Sequence, residues 1–544
     1  MKKVFINANG YAMDTAEHRF EAVAVEDGLI TCVGTNEAVQ EAAGTACQII
    51  DLQGKTVLPG FNDSHLHLLS YGYSLEVADL NDCRSLDELK DRLRRYIKEN
   101  GIKPGQWVEG RGWDQNQFDT KKMPTREDLD EEFGAYFLVL TRTCAQICVV
   151  TTNVLELGGL LHKPQQIEGG MILTDAHEVA TGVLTGLATE IIYRMIPTLG
   201  VDRIKKCILA ACNRYVSAGM TSAQTDDFEL LRAGHFTEIL QAYEELDREG
   251  LLPIRVNLML HLATLEELSD FLALGYRTGD GSPYFRIGPF KTITDGSLGG
   301  RTAALRAPYS DNPEGMEENT GEMYISQQEL ETLTQMAFDH GLQLVSDGIG
   351  DRAMRSVLDA FIKIIEKHPE EDLRFGIDHC QITTEGIIED FAKYHIIGGL
   401  ELIFLASDIA IVEERVGAQR ASMSYNWNRF KTQGVTIAAG SDSPVEEYSP
   451  LHGIYAAVTR CTYDKTPKGG YHAEQKLSVH DAIHAFTTGP AYATFEEDCK
   501  GTIEVGKYAD FVVLAQDLYE TAPLDLAEVQ VAMTVVGGKV VYEK

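Results

Sequence analysis

The chain has 544 residues, enough for one large domain with additions or for two to four domains, and its net charge of -34 argues against nucleic acid or an anionic membrane as partner. No apolar run is long enough to span a bilayer, and Asn7, Asn9 and Asp14 interrupt any signal-like segment after Met1-Lys2-Lys3. The ten cysteines are scattered, mostly in apolar contexts such as those of Cys32 and Cys207, and suit reduced, buried thiols in a cytoplasmic protein.

The first fifty residues alternate short β-runs with turns, as in Lys3-Val-Phe-Ile-Asn and Ala22-Val-Ala-Val-Glu. The last forty do the same, as in Ala509-Asp-Phe-Val-Val-Leu and Val531-Ala-Met-Thr-Val-Val. Neither end makes a complete core, so residues 1–57 and 495–544 are expected to pair into one small β-domain. Between them, over 58–494, apolar strands alternate with helical segments such as 351–365. Candidate strands fall at 61–65, 220–224, 254–261, 287–294, 342–347, 375–379, 397–402 and 435–442. Eight such units suit an α/β fold of the (β/α)8 TIM-like barrel class, although spacing alone also allows an open doubly wound sheet. The gap after the first strand is too long for a simple crossover, and 80–190 reads as an inserted subdomain capping the barrel mouth.

The densest chemistry lies in Leu58-Pro-Gly-Phe-Asn-Asp-Ser-His65-Leu-His67. Side chains alternate along a strand, so His65 and His67 share a face and can bind one transition metal; the bland alternative is a surface pair. Pro59 and Gly60 fit a turn near the strand end, and Asp63 can orient a ligating imidazole. Lys291 stands inside an apolar strand, where its charge must be paired or removed; an ordinary partner would be Asp295. Asp442 follows the apolar run from Val435, placed either to act at the barrel mouth or to cap the next turn. His379, also at a strand end, reads on its own as a structural histidine. Trp113 and Arg111 could line a pocket under the insertion, or Trp113 could be core. Arg301, after Gly299-Gly300, could bind a substrate carboxylate or carbonyl, or order its loop through a salt bridge.

The stretch ending at His67 resembles the first metal-ligand motif of the amidohydrolase superfamily, and 501–514 resembles its C-terminal signature. Four phrases in the insertion, beginning at Trp107, Met123, Gly169 and Thr181, are similar to the YtcJ-like branch, which includes N-substituted formamide deformylase. The resemblance implies a barrel with a small β-sandwich and a metal site built from His65, His67, Lys291, His379 and Asp442. In such relatives the lysine is carboxylated to supply two oxygens, and the aspartate takes the proton of the attacking water. The implied activity is metal-dependent hydrolysis of non-peptide carbon–nitrogen bonds in a small molecule. One or two divalent ions are implied, zinc by default, and a homodimer is the default assembly.

Three positions depart from the pattern. Asp347 stands where the family usually has a metal-ligating histidine, which puts a second ion in question. Gln146 and Thr151 replace a histidine and an asparagine where relatives hold substrate. These departures motivate a rival reading, a non-catalytic or altered-specificity protein on the same fold.

Overall fold

The computed structural model describes residues 2–15, 18–143, 147–165, 170–228, 230 and 234–544. Eight parallel strands form one sheet in sequential order: β1 (Phe61–Leu66), β2 (Met220–Asp226), β3 (Arg255–His261), β4 (Phe285–Thr292), β5 (Leu344–Gly348), β6 (Gly376–His379), β7 (Ile397–Leu400) and β8 (Ile437–Ala439). Sequential order with helical crossovers curls the sheet into a nearly closed (β/α)8-like barrel. Every residue of β1 and β2 is buried, as expected of strands covered on one face by helices and on the other by the barrel interior. The helix Asp351–Ile365 shows how the shell forms: Ala353, Met354, Val357, Leu358, Phe361 and Ile364 recur every three or four residues and are all buried.

The two chain ends meet in a pair of β-sheets. The strand Phe511–Leu514 runs antiparallel to Thr56–Pro59, and Val531–Val536 continues the sheet outward. A second sheet holds Lys3–Ile6, Ala22–Glu26, Leu29–Gly34 and Gln48–Asp51. Phe5 from this sheet meets Phe511 from the other edge-to-face, with ring centroids 4.9 Å apart, inside an apolar core that includes Val23, Ile30, Val57 and Val535.

The run from Leu58 to His67 is not one strand. It breaks at Gly60, leaving Thr56–Pro59 in the terminal sheet and Phe61–Leu66 in the barrel. A Cβ on Gly60 would lie 2.1 Å from Thr221 Oγ1, so only glycine lets the chain turn this close to β2.

Residues Leu69–Ala210 with Leu230–Ala242 make a second compact unit. Its six-stranded sheet runs from Gly170–Thr174 at one edge to Ala78–Asp79 at the other. One face packs Leu89, Leu93, Trp113 and Phe133, and the other packs Val139, Val150, Leu184 and Ile192.

One buried ion pair joins the barrel to the terminal sheets. Arg255 at the start of β3 donates through Nε to Asp510 Oδ2 at 2.6 Å and through Nη2 to Oδ1 at 3.0 Å. The rings of Tyr508 and Tyr284 lie 3.7 and 4.5 Å from its guanidinium. Arg255→Leu strands the Asp510 charge, and we expect a loss of about 3–5 kcal/mol, read from the urea midpoint. A loss below about 1 kcal/mol would show that water reaches Asp510 and the pair is effectively a surface one.

Candidate metal centre

The C-terminal ends of the barrel strands deliver a dense set of titratable side chains. His65 comes from β1, Asp226 from β2, Lys291 from β4, Asp347 from β5, and Asp378 and His379 from β6. His67, Glu401 and Asp442 follow the ends of β1, β7 and β8. All nine are buried. His379 and Asp442 hold positive φ angles of 72° and 57°, a costly conformation for residues with a Cβ and one that gathers at functional sites.

Backbone contacts bring these ends together. Asp442 N donates to His65 O, and His67 N donates to Ser443 O, both at 2.8 Å, carrying the ladder from β8 across to β1. Asp63 Oδ1 accepts the backbone N–H of His65 and of Ser441 at 3.1 Å each. Asp63 therefore braces the main chain at this seam, not an imidazole ring as the sequence suggests. A Cβ on Gly440 would lie 2.9 Å from His65 Cβ and its backbone, so a glycine is required for this approach.

Around Asp442 the geometry suits a cation. His65, His379 and Asp442 form one set whose potential ligand atoms all lie within 4.8 Å of one another. His67 Nε2 reaches the same Asp442 oxygen at 2.8 Å that lies 3.4 Å from His65 Nε2. His67 Nδ1 sits 2.9 Å from the Asp226 carbonyl, to which it can only donate. In neutral His67 the Nε2 lone pair then faces a carboxylate oxygen, an arrangement that needs a proton or a metal ion between the two. Asp378 Oδ2 and both carboxylate oxygens of Glu401 are buried and accept no hydrogen bond among the described residues. These nitrogen and oxygen donors fit a divalent transition-metal ion.

Lys291 lies deeper. Its Nζ is 2.9 Å from His65 Nδ1, 3.0 Å from Asp347 Oδ1 and 3.7 Å from carboxylate oxygens of Asp226 and Asp378. Burial opposes the lysine's charge, but Asp347, Asp226 and Asp378 together hold its pKa above the ordinary range. Burial likewise opposes ionisation of Asp347, and Lys291 and His379 outweigh it, holding that carboxyl well below its usual range. Burial pushes Asp378 up to about 6, only partly offset by Lys291. For Asp442, hydrogen bonds from His65 and His67 outweigh burial and keep the group ionised.

Other candidates from the sequence lie elsewhere or act differently. Asp295 does not pair with Lys291; it accepts backbone N–H groups from Ala304, Ile349 and Gly350 at 2.7–3.1 Å, tying the loop after β4 to the loop after β5. Trp113 is wholly buried in the core of the second unit, and its indole N–H donates to Leu140 O at 2.9 Å, so no face remains for substrate. Thr151 is buried too, its hydroxyl accepting from Leu138 N at 3.1 Å. Arg301 makes a two-pronged pair with Asp311, at 2.7 and 3.1 Å, and orders its own loop. Gln146 lies outside the described residues.

Asp226, Asp378 and Glu401 are the site residues that the sequence reading did not single out. Glu401 Oε2 lies 3.1 Å from His379 Nδ1, an ion-pair contact outside hydrogen-bond geometry that sets a carboxylate against the ring. Each follows an apolar strand, and that position was the available signal. An acid there also reads as a turn cap.

A model of the amidohydrolase family matches residues 48–542. The chain is 32% identical over 546 residues to YtcJ of Bacillus subtilis (strain 168), covering 100% of both proteins. It is 26% identical over 557 residues to N-substituted formamide deformylase of Arthrobacter pascens, covering 99% of this chain and 98% of that protein. A solved structure of an uncharacterized metal-dependent hydrolase from Pyrococcus furiosus superposes with a TM-score of 0.79 at 28% identity, over 96% of this chain and 100% of that one.

The Asp295 brace has a pH signature. Burial pushes its carboxyl from 3.8 up to about 6, against the pull of three N–H donors. Across that window the folded protein keeps a proton that the unfolded chain gives up, so the residue's contribution to stability falls as pH rises and levels off above. In metal-free protein, the unfolding free energy of wild type minus that of Asp295→Asn should therefore shrink from about pH 4 to about pH 6. A flat difference would show that the donors keep the carboxylate ionised throughout.

Proposed function

Since the chain belongs to the amidohydrolase family, and its fold and buried His/Asp clusters make it a metal-dependent hydrolase of carbon–nitrogen bonds, we propose that it acts on small non-peptide amides of the formamide type. The observation that carries this reading is the Asp442 oxygen shared between His65 and His67. His65, His67, Asp442 and His379 would hold the ion. Zinc suits these nitrogen and oxygen donors better than a hard, all-oxygen cation would. A divalent ion bound there supplies Lewis acidity, polarising an amide carbonyl and making water acidic enough to attack near neutral pH.

The residues perform the proton work. Asp442, ionised and at the barrel mouth, accepts the proton of the attacking water on a carboxylate oxygen and returns it to the leaving nitrogen. His67 stays oriented through its Nδ1–H bond to the Asp226 carbonyl, and His379 keeps the Glu401 carboxylate 3.1 Å from its Nδ1. The nine described cysteines are free thiols, which supports a reducing compartment such as the cytoplasm. The similarity to N-substituted formamide deformylase favours formate as one product.

We expect a chelator to abolish formate release from a panel of N-substituted formamides and added zinc to restore it. His67→Ala and Asp442→Asn should each be inactive while remaining folded by circular dichroism. Zinc-loaded protein that cleaves no amide in the panel would remove the formamide reading. Separately, Glu401→Gln should weaken zinc binding by about 10- to 100-fold, measured by competition with a chromophoric chelator, because His379 loses the carboxylate charge that faces its Nδ1. Unchanged affinity would leave Glu401 without a part in holding the ion.

A further inference from the structure

Two sets of potential metal ligands meet at His65: one with His379 and Asp442, the other with Asp347 and Asp378. A side chain of the barrel interior is seated within the second. The Nζ of Lys291 lies 2.9 Å from His65 Nδ1, 3.0 Å from Asp347 Oδ1 and 3.7 Å from Asp378 Oδ2, close to one atom of every member of the second set. Ligand bonds to zinc are about 2.0–2.2 Å, so an ion bonded to those three atoms would fall within the space that Lys291 Nζ occupies. Asp226 adds a further carboxylate at 3.7 Å, so three acids surround one lysine that has no exposed surface.

We infer that the ammonium of Lys291 fills the second ligand set, so that the protein works with one divalent ion and an uncarboxylated lysine, and that Asp347 fixes this outcome. The inference rests on the metal-dependent reading above. Asp347 is the nearest acid to the ammonium, and the same oxygen lies 3.7 Å from His379 Nε2. Carboxylation of Lys291 would replace that cation with an anion among three carboxylates, and Asp347 would lose the counter-charge 3.0 Å away. Strand β5 thus contributes a counter-ion in place of a ligand.

The test is a metal count on the full-length protein, loaded with zinc in the presence of 13C-bicarbonate and freed of excess metal. Elemental analysis gives zinc per chain, and 13C NMR on the same sample detects a carbamate carbon. One zinc and no carbamate resonance is the expected result. Two zinc ions, or a carbamate resonance, would overturn the inference while leaving the hydrolase intact. No bound zinc together with no turnover would overturn the metal-dependent reading, and the inference with it. Lys291→Ala frees the second set and should raise the count to two; a folded variant that still holds one zinc would show that the ammonium is not what excludes the second ion. The wild-type measurements decide the matter even where the variant fails to fold.

Discussion

The site depends on the seam where the barrel closes. Here β8 meets β1 through Asp442 N to His65 O and His67 N to Ser443 O, and Asp63 links the two segments with one oxygen. Three residues that surround the ion position are thereby tied through their own main chains. Their spacing follows from backbone hydrogen bonds, not from side-chain freedom, which is how a rigid scaffold holds a site to fractions of an ångström. Gly440 makes the contact possible, since any side chain there would meet His65. The burial that makes the seam firm also pushes the Asp63 carboxyl up to about 7, a cost accepted to pair two otherwise buried N–H groups.

Charge is the second constraint. Five buried acids, Asp226, Asp347, Asp378, Glu401 and Asp442, face Lys291 and three histidines in the interior of the barrel. A well-packed apolar core of the same volume would be more stable, because the desolvation of such groups exceeds much of what their pairing returns. The positive φ angles of His379 and Asp442 add strain of order 1–3 kcal/mol each. The surrounding structure offsets this with ordinary means: fully buried strands, helices with one apolar face, and the Arg255–Asp510 clamp to the terminal sheets. Stability built outside the site is what lets the site hold an unfavourable set of charges.

Much of this was legible in the sequence. Short β-runs at both ends and eight apolar strands separated by helical segments pointed to an α/β fold with paired β ends, and the family resemblance chose the barrel over an open sheet. His65, His67, Lys291, His379 and Asp442 were singled out because each sits at or near the end of such a strand within a family-like phrase, and the structure places them side by side. What stayed hidden was pairing across the barrel. Nothing in the local sequence tells Lys291 to choose Asp347, Asp226 and Asp378 over Asp295, four residues away, since the choice is made by which strand ends point inward. Trp113 misled for a related reason: an aromatic in an insertion reads equally as pocket or core until its indole N–H is seen to bond Leu140 O.

The departure at Asp347, which raised the prospect of a lost activity, is better understood as a change in how charge is arranged. Thr151 serves the backbone of the second unit, its hydroxyl accepting from Leu138 N. Asp347 does belong to the centre, but the nitrogens and oxygens around Asp442 do not need it as a ligand. Its one oxygen stands between Lys291 and His379, and Glu401 takes the far side of the imidazole, so charges alternate from lysine to aspartate to histidine to glutamate. Burial disfavours a charged His379, yet Glu401 and Asp347 hold its pKa well above the ordinary range. The imidazole is therefore held in place from both sides before any ion arrives, and an ion must displace its proton to use it. A histidine at position 347 would offer one more nitrogen but no counter-charge, and the lysine at the base of the site would lose its nearest partner.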